Sequence, residues 1–359
     1  MRKQELELQA DRIELVLRDY KTPARVTGGI VTPRWIQFLL QTAPGIKVNR
    51  VEALSREIAL ALGVSSAQVT THRGAVRIDV PRSDPQPVKL MNMVARLPKQ
   101  RIPFGTAVLG LTDDGAPLLL RLPSPDVGHV LIAGTTGSGK TALMQSLVAS
   151  LALRHRRSEL QLVLIDPKGY SFAKLKTLPH LLQPIVTQSD QAARALDEMV
   201  EVMEQRSRAR SIEVDPARQV RERSGVTKPL IAIVIDELAD LIQTVGSAVI
   251  DRLGRLTQRG REAGVHVIAA TQKPSSSIVG SLIKANFPVR LVGRVVSADD
   301  ARVAAGLGGT GAERLNGHGD FIAVTAAEVI RFQAAYISTD EMMRVAMEGR
   351  QGAGGKDSE

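Results

Sequence analysis

Residues 129–153, HVLIAGTTGSGKTALMQSLVASLAL, contain the pattern that decides the fold of this chain. An apolar run ends at Ala133, the next eight residues match G-x-x-x-x-G-K-[ST], and a run with helical periodicity follows. This pattern is typical of a phosphate-binding loop when it lies between a strand and a helix. A glycine turn between strand and helix is the structural alternative.

The residue types in this loop suit phosphate chemistry. Gly134, Gly137 and Gly139 let the backbone curl so that successive N–H groups and the helix N-terminus point at phosphates. Lys140 can then reach the β- and γ-phosphates, and the Thr141 hydroxyl can bind Mg²⁺. We therefore predict that the cofactors are ATP and Mg²⁺. The predicted cofactor-binding residues are Gly134, Thr135, Thr136, Gly137, Ser138, Gly139, Lys140 and Thr141.

Short apolar runs alternate with helical stretches from residue 129 onward. The runs at 129–134, 160–166, 230–236, 265–270 and 288–296 have the composition of buried strands. Such alternation predicts an α/β fold with βαβ units, a mainly parallel sheet and helices on both faces.

Two of these runs end in polar residues that suit catalysis. Asp236 and Glu237 follow one strand, at the sheet edge where α/β proteins bind ligands. We predict that Asp236 binds Mg²⁺ and that Glu237 orients or deprotonates the attacking water; a solvated pair that caps the next helix is the alternative. Thr271 and Gln272 follow another strand and could sense the γ-phosphate, although a turn with Pro274 would also explain them.

Two weaker signals bear on the same edge. Asp166, Pro167 and Lys168 follow the run at 160–166, and either a further strand-end site or an ordinary turn accounts for them. The N-K-x-D element that reads guanine is missing from the sequence, which favours ATP.

The residues before the motif predict a separate small unit. Residues 5–20 have one apolar helical stripe, residues 49–63 a second, and residues 76–80 alternate as in a strand. The proline-rich segment 81–87 predicts a turn or linker, and Asp114-Gly115 between two apolar runs predicts a hairpin. We expect a small α+β unit over residues 1–100, a P-loop ATPase domain over 101–340 and a flexible tail over 341–359.

Composition restricts the class of protein and its partners. The 359 residues are 43% hydrophobic, include no cysteine and show no run of about 20 apolar residues, so we expect a cytoplasmic protein without disulfides or membrane insertion. Lys and Arg number 47 against 37 Asp and Glu, a net charge of +10 that favours a polyanionic partner. Aromatic residues are 3%, which favours duplex over single-stranded DNA. The candidate basic segment contains Arg206, Arg208, Arg210, Arg218, Arg221 and Arg223.

Several motifs follow one another over about residues 129–337: HVLIAGTTGSGKT, LVLIDPKG, LPHLLQPIVT, IVIDELADLI, QRGREAGVHVIAATQKPS, LIKANFPVR and NGHGDFIAV. In this order they resemble the motor domain of the FtsK/SpoIIIE family of DNA translocases. The preceding unit, with PARVTGGIVTP (23–33), PGIKVNRVEALSREIALALGV (44–64) and the hairpin strands after them, resembles the smaller α subdomain that precedes that family's RecA-like β subdomain.

The resemblance implies a homohexameric ring that moves along double-stranded DNA by hydrolysing ATP. It implies that Asp236 and Glu237 form the Walker B pair, that Gln272 is a polar sensor, and that Arg261 reaches the neighbouring subunit's site, with Arg259 as the alternative. It also places the glycine-rich turn at 308–320 near the DNA or a subunit face. Cell-division members carry membrane spans and a winged-helix domain, and we expect neither here.

Two other functions share this core. Relatives in type VII secretion act on polypeptides, so a protein-secretion ATPase is the alternative function. A small-molecule kinase or other phosphotransferase is a third reading of the phosphate-binding loop. ATP hydrolysis measured with and without duplex DNA separates the three.

Overall fold

A computed structural model gives the structure of the chain, and it describes residues 3–72, 75–98, 102–212, 228–274 and 286–351. The contacts divide the chain into two compact units: Met1–Pro87 with Asp113–Gly115, and Val88–Thr112 with Ala116–Glu359. The boundary after Pro87 lies at the end of the proline-rich segment, thirteen residues before the predicted one, because Val88 and the helix after it pack into the second core.

The first unit is an antiparallel sheet packed against helices. Its strands are β1 (Ala24–Val31), β2 (Trp35–Thr42), β3 (Gln68–His72) and β4 (Ala75–Pro81), in the order β1-β2-β4-β3. Its helices are α1 (Lys3–Asp19), α2 (Val48–Glu52) and α3 (Ser55–Leu62). The single helix predicted over 49–63 is therefore two. Gly63 ends α3 in the left-handed conformation, and the apolar stripes of α1 and α3 share one core with β2 and β4.

The second unit is built on a ten-stranded sheet. The strands are β5 (Val88–Lys89), β6 (Thr106–Thr112), β7 (Pro117–Arg121), β8 (Val130–Ala133), β9 (Leu160–Ile165), β10 (Leu230–Ile235), β11 (Val265–Thr271), β12 (Val289–Gly293), β13 (Asp320–Val324) and β14 (Val329–Tyr336). Their order is β7-β6-β14-β13-β12-β8-β11-β10-β9, and β5 pairs with β14 beside it.

Helices cover both faces of this sheet, as the alternating pattern predicted. Buried residues of α4 (Leu90–Arg96), α5 (Lys140–Arg154) and α10 (Thr339–Gln351) belong to one apolar cluster. Those of α6 (Ser189–Ile212), α7 (Leu238–Val245), α8 (Ser247–Arg259) and α9 (Ala298–Ala305) belong to a second cluster. The α/β class is confirmed, with one apolar core on each side of the sheet.

Two features of this unit differ from expectation. The sheet is half parallel: β8 to β12 pair in parallel, whereas the pairings β12–β13, β13–β14, β14–β6 and β6–β7 are antiparallel. Tight turns join β13 to β14 and β6 to β7, which only antiparallel neighbours allow. Residues 341–351, predicted as part of the tail, lie in α10, where Met342 and Val345 are buried in the core.

Among the described residues, no helix has the length and apolar character to cross a bilayer.

Candidate nucleotide site

The predicted site residues meet at one edge of the sheet. Strands β8 to β12 are parallel, so the phosphate-binding loop (P-loop, 134–141) follows β8 at the same edge where Asp236 follows β10 and Gln272 follows β11. Strand β8 lies between β11 and β12. As a result, Gly134 N–H donates to Thr271 O at 3.3 Å, and Thr135 N–H donates to Arg294 O at 2.8 Å.

Glycine is required within the P-loop by conformation and by space. Gly137 and Gly139 have φ angles of 79° and 103°, in the left-handed region that other residues enter at a cost. A Cβ on Gly139 would lie 2.7 Å from the backbone nitrogen of Gly319. Gly139 immediately precedes α5, so the loop leads its N–H groups into a helix N-terminus.

Lys140 is buried beneath the loop that it serves. Its Nζ donates to Gly134 O at 2.6 Å and to Thr135 O at 3.1 Å. Burial lowers the pKa of Lys140, and the nearby carboxylates of Glu237 and Asp236 oppose that shift. The ammonium therefore lies against two P-loop carbonyls and interacts electrostatically with the carboxylates of Glu237 and Asp236.

Gln272 connects the P-loop to Glu237. The Thr136 hydroxyl donates to Gln272 Oε1 at 3.0 Å, while the backbone N–H of Gln272 donates to both carboxylate oxygens of Glu237 at 3.1 Å. Thr136 and Gln272 are exposed, whereas Glu237 is buried. The structure thus brings the predicted sensor, the predicted base and the P-loop into one chain of contacts.

Asp236 and Glu237, the predicted Walker B pair, have carboxyl groups with raised pKa values. Burial raises the pKa of Asp236, with a smaller contribution from Asp166, and hydrogen bonding from Ser171 opposes it. Burial also raises the pKa of Glu237, against hydrogen bonds from Gln272 and Thr271. A carboxylate with a raised pKa is a better proton acceptor when ionised, which suits a general base.

The structure decides between the two readings of Asp166 and Lys168. Asp166 is fully buried, and its oxygens accept hydrogen bonds from Gly169 N–H at 3.0 Å and Phe172 N–H at 3.1 Å, so it stabilises the turn after β9. Lys168 is exposed and pairs with Asp240 at 3.1 Å, which raises its pKa. The turn reading fits Asp166.

Two further details concern Ser138 and the glycine-rich turn at 308–320. The Ser138 side chain is fully buried, so this residue offers phosphate only its backbone. Residues 316–319 of the glycine-rich turn lie against the P-loop, where His318 N–H donates to Gly137 O at 2.9 Å. A position of this turn at a DNA or subunit face stays a prediction, and its contact with the P-loop was not predicted from the sequence. The closely spaced glycines in NGHG are the signal that could have indicated a close backbone approach.

Arg261 lies at the opposite edge of the sheet. Arg261 lies before the N-terminal end of β11, and Gln272 follows its C-terminal end. The seven residues of β11 span about 23 Å between these two ends. Arg261 Nη1 donates to Pro125 O at 2.7 Å, and the side chain is exposed. Arg259, the alternative, ends α8 and is also exposed. Neither arginine belongs to the nucleotide site of its own chain.

The residues at the edge fit a Mg²⁺ ion. Mg²⁺ in phosphate-transfer sites keeps several waters and takes one or two protein oxygens besides the phosphates. Asp236 supplies a carboxylate, and Thr141, in the first turn of α5, is exposed. Within the described ranges no group of three or more acidic or histidine side chains could hold a metal ion.

The candidate basic segment is only partly described. Arg206 Nη1 donates to Pro229 O at 2.9 Å and to Ala263 O at 3.0 Å, so this side chain holds elements of the fold together. Arg208 is exposed and pairs with Glu204. Arg218, Arg221 and Arg223, and the Arg210 side chain, lie outside the described residues.

Comparison with known families identifies both units. The family model of the FtsK/SpoIIIE family matches residues 99–276, and that of the FtsK alpha domain matches residues 1–82. The DNA translocase FtsK of Mycobacterium leprae (strain TN) is 36% identical over 94% of this chain and 42% of its own length. That of Staphylococcus aureus (strain Mu50 / ATCC 700699) is 33% identical over 96% and 45%. The chain thus spans less than half of these relatives.

Solved structures show the same fold at lower identity. The pCW3 conjugation coupling protein TcpA with ATPγS superimposes with a TM-score of 0.64 at 18% identity, covering 96% of this chain and 99% of TcpA. The cytoplasmic domain of the Thermomonospora curvata type VII secretion ATPase EccC gives a TM-score of 0.60 at 24% identity, covering 73% and 34%. At these identities the likeness supports the fold alone, a P-loop NTPase fold.

Proposed function

We propose, from the premise that this chain belongs to the FtsK/SpoIIIE family, that it hydrolyses ATP to move along double-stranded DNA. The observation that carries this proposal is the meeting of the P-loop, Lys140 and the Asp236-Glu237 pair at one sheet edge. Because these groups are the parts of an NTP-hydrolysing site, the motor role of the relatives can apply to this chain.

The proposed chemistry assigns one role to each group. The P-loop N–H groups and Lys140 hold the phosphates, and Thr141 with Asp236 holds Mg²⁺, which neutralises phosphate charge when bound. Glu237 accepts a proton from the attacking water. Gln272 holds the Glu237 carboxylate through its backbone N–H and contacts the P-loop through its side chain. Gln272 could therefore link the binding of phosphate at the P-loop to the position of the Glu237 carboxylate.

We further propose that six copies form a ring around DNA. Arg261 lies too far from its own P-loop to act there, about 23 Å along β11. In a ring it would stabilise the γ-phosphoryl charge in the neighbouring subunit's site, with Arg259 as the second candidate. ATP and DNA occur together in the cytoplasm, where we place the proposed activity.

DNA binding in this proposal depends on phosphate contacts. The net charge of +10 favours a polyanion, and the 3% aromatic content leaves few rings on which single-stranded bases could stack. The duplex would therefore be held largely without regard to base sequence.

ATP hydrolysis measured without DNA, with linear duplex DNA and with single-stranded DNA tests the proposal. Stimulation by the duplex is expected, together with no hydrolysis by Lys140→Ala, whose fold should be intact. An equal rate in all three conditions would contradict a DNA motor and favour the protein-secretion alternative. Hydrolysis by Lys140→Ala at the wild-type rate would locate the activity elsewhere.

A further inference from the structure

The docking loop, residues 316–320 between α9 and β13, is bonded directly to the P-loop. Besides the bond from His318 to Gly137, Gly319 N–H donates to Ser138 O at 2.8 Å. The docking loop leads into β13, in the antiparallel half of the sheet. Two consecutive P-loop carbonyls are thus fixed by a segment about 180 residues later in the chain.

These two bonds set the direction of P-loop N–H groups. In a trans peptide the C=O of one residue and the N–H of the next point to opposite sides. When the Ser138 carbonyl is turned toward Gly319, the N–H of Gly139 is turned away from the docking loop. In P-loops with this sequence pattern, backbone N–H groups of the glycine-rich segment bind phosphate. Fixing the carbonyls of Gly137 and Ser138 therefore also orients the N–H groups that follow them.

A buried carboxylate fixes the C-terminal end of the docking loop. Asp320 is 2% exposed and accepts hydrogen bonds from Asn316 N–H at 3.0 Å and from Asn316 Nδ2 at 3.2 Å. The same carboxylate accepts from Arg331 Nε at 3.0 Å and Nη2 at 2.8 Å, a two-pronged ion pair with β14. Asp320 therefore closes the loop on itself and attaches it to the sheet.

Strand β14 also supports the carbonyls of the docking loop. Gln333 Nε2 donates to His318 O at 3.1 Å, and Ala334 N–H donates to Gly319 O at 2.7 Å. His318 and Gly319 thus have both backbone N–H and C=O engaged, the N–H groups with the P-loop and the C=O groups with β14. The loop bridges the two.

The docking loop keeps this position in an unfavourable backbone conformation. Gly317, His318 and Gly319 have φ angles of 74°, 51° and 88°, so a residue other than glycine adopts the left-handed conformation while its side chain is exposed. Such conformations persist only where the surroundings impose them, and they concentrate at functional sites. The contacts with the P-loop and β14 therefore hold His318 in this conformation.

We propose that the docking loop positions the P-loop for phosphate binding, with His318 and Asp320 as positioning residues. The inference rests on the nucleotide-binding role proposed for the P-loop. The antiparallel half of the sheet would then contribute to nucleotide affinity, although none of its side chains contacts the phosphates.

Two substitutions of His318 test the proposal because they differ chiefly in backbone preference. His318→Val places a β-branched residue where φ is positive, which opens the docking loop, whereas His318→Gly allows that φ freely. The affinity for a fluorescent ADP analogue with Mg²⁺ should fall about tenfold in His318→Val. The fall follows the decrease in the fraction of molecules whose docking loop is bonded to the P-loop. His318→Gly should bind within about twofold of the wild type. The thermal unfolding midpoint of each variant is measured alongside.

The controls separate this inference from the proposed function. If the wild type binds the analogue and Lys140→Ala loses it, the P-loop role stands; wild-type affinity in His318→Val would then overturn the positioning role alone. Equal weakening in His318→Gly and His318→Val would also overturn it, because the side chain rather than the backbone would be responsible. If the wild type does not bind the analogue, the P-loop role and this inference both fail.

Discussion

Replacing Glu237 by glutamine separates the two consequences of burying this carboxyl group. Glu237 is 3% exposed, and burial raises its pKa above the ordinary value of 4.5. The folded protein therefore holds a proton more tightly at this group than the unfolded chain does. Its contribution to stability falls as the pH rises from 4.5 through the raised pKa, and stays low above it. Glu237→Gln removes that loss.

The contacts of Glu237 indicate that glutamine can replace it in shape. Its oxygens accept the Gln272 N–H at 3.1 Å, and the Thr271 hydroxyl bonds to it as well. Glutamine Oε1 can accept both the same N–H and the Thr271 hydroxyl, so these two buried donors keep an acceptor. The roughly 1–3 kcal/mol that an orphaned donor costs is then limited to the new Nε2 group.

The expected result is a variant that is at least as stable as the wild type at neutral pH but catalytically impaired. Its kcat should fall roughly 10²- to 10⁴-fold, the usual contribution of a general base, with nucleotide affinity nearly unchanged. A coupled ATPase assay with duplex DNA measures kcat, and thermal unfolding at several pH values measures stability. Asp240→Asn, which makes the same charge change one turn later on α7, should keep kcat within about threefold.

Two outcomes would refute this reasoning. A kcat within about threefold of the wild type would show that Glu237 is not the base. A lower unfolding midpoint at neutral pH would show that the carboxylate stabilises the fold through Gln272 more than its burial costs. The wild-type rate should also fall on the acid side of its pH profile with an apparent pKa above that of an ordinary glutamate, since Glu237 must be ionised to act.

Three further predictions concern assembly, DNA and acid stability. Arg261→Ala should bind ATP without hydrolysing it, and mixing it with Lys140→Ala should restore activity at interfaces that join an intact P-loop to an intact arginine; an inactive mixture with demonstrated subunit exchange would redirect attention to Arg259. Affinity for duplex DNA should fall with salt by about 0.9 log units per log unit of salt for each neutralised phosphate, measured by fluorescence anisotropy, whereas salt-independent binding would exclude phosphate contacts as its basis. Burial, together with His266 and Arg261, lowers the pKa of His129 to about 3, so only the unfolded chain gains a proton there between pH 6.5 and 3. In urea unfolding, the free energy of unfolding should therefore decrease by about 1.4 kcal/mol for each pH unit as the pH falls through that range. His129→Gln should reduce this dependence on pH, and an unchanged dependence would mean that other groups cause it.

The sequence alone determined the parts of the site that depend on local order. A strand, a glycine-rich loop and a helix follow one another from residue 129, and strand ends at Asp236 and Gln272 carry polar groups. Parallel strands have their carboxyl ends at one edge, so these groups were expected to lie near the P-loop, and they do. Periodicity and spacing are sufficient here because each motif lies within a short continuous segment of the sequence.

Tertiary structure alone decided which backbones touch. The antiparallel order of β12, β13, β14 and β6 brings the docking loop to the P-loop, and no periodicity in either segment specifies that contact. The side chains of Thr136 and Gln272 are likewise 136 residues apart and meet because β8 and β11 are neighbours. Hydrogen bonds between distant backbone groups depend on strand order and packing, and these are set by the burial of the whole core rather than by any local run of residues.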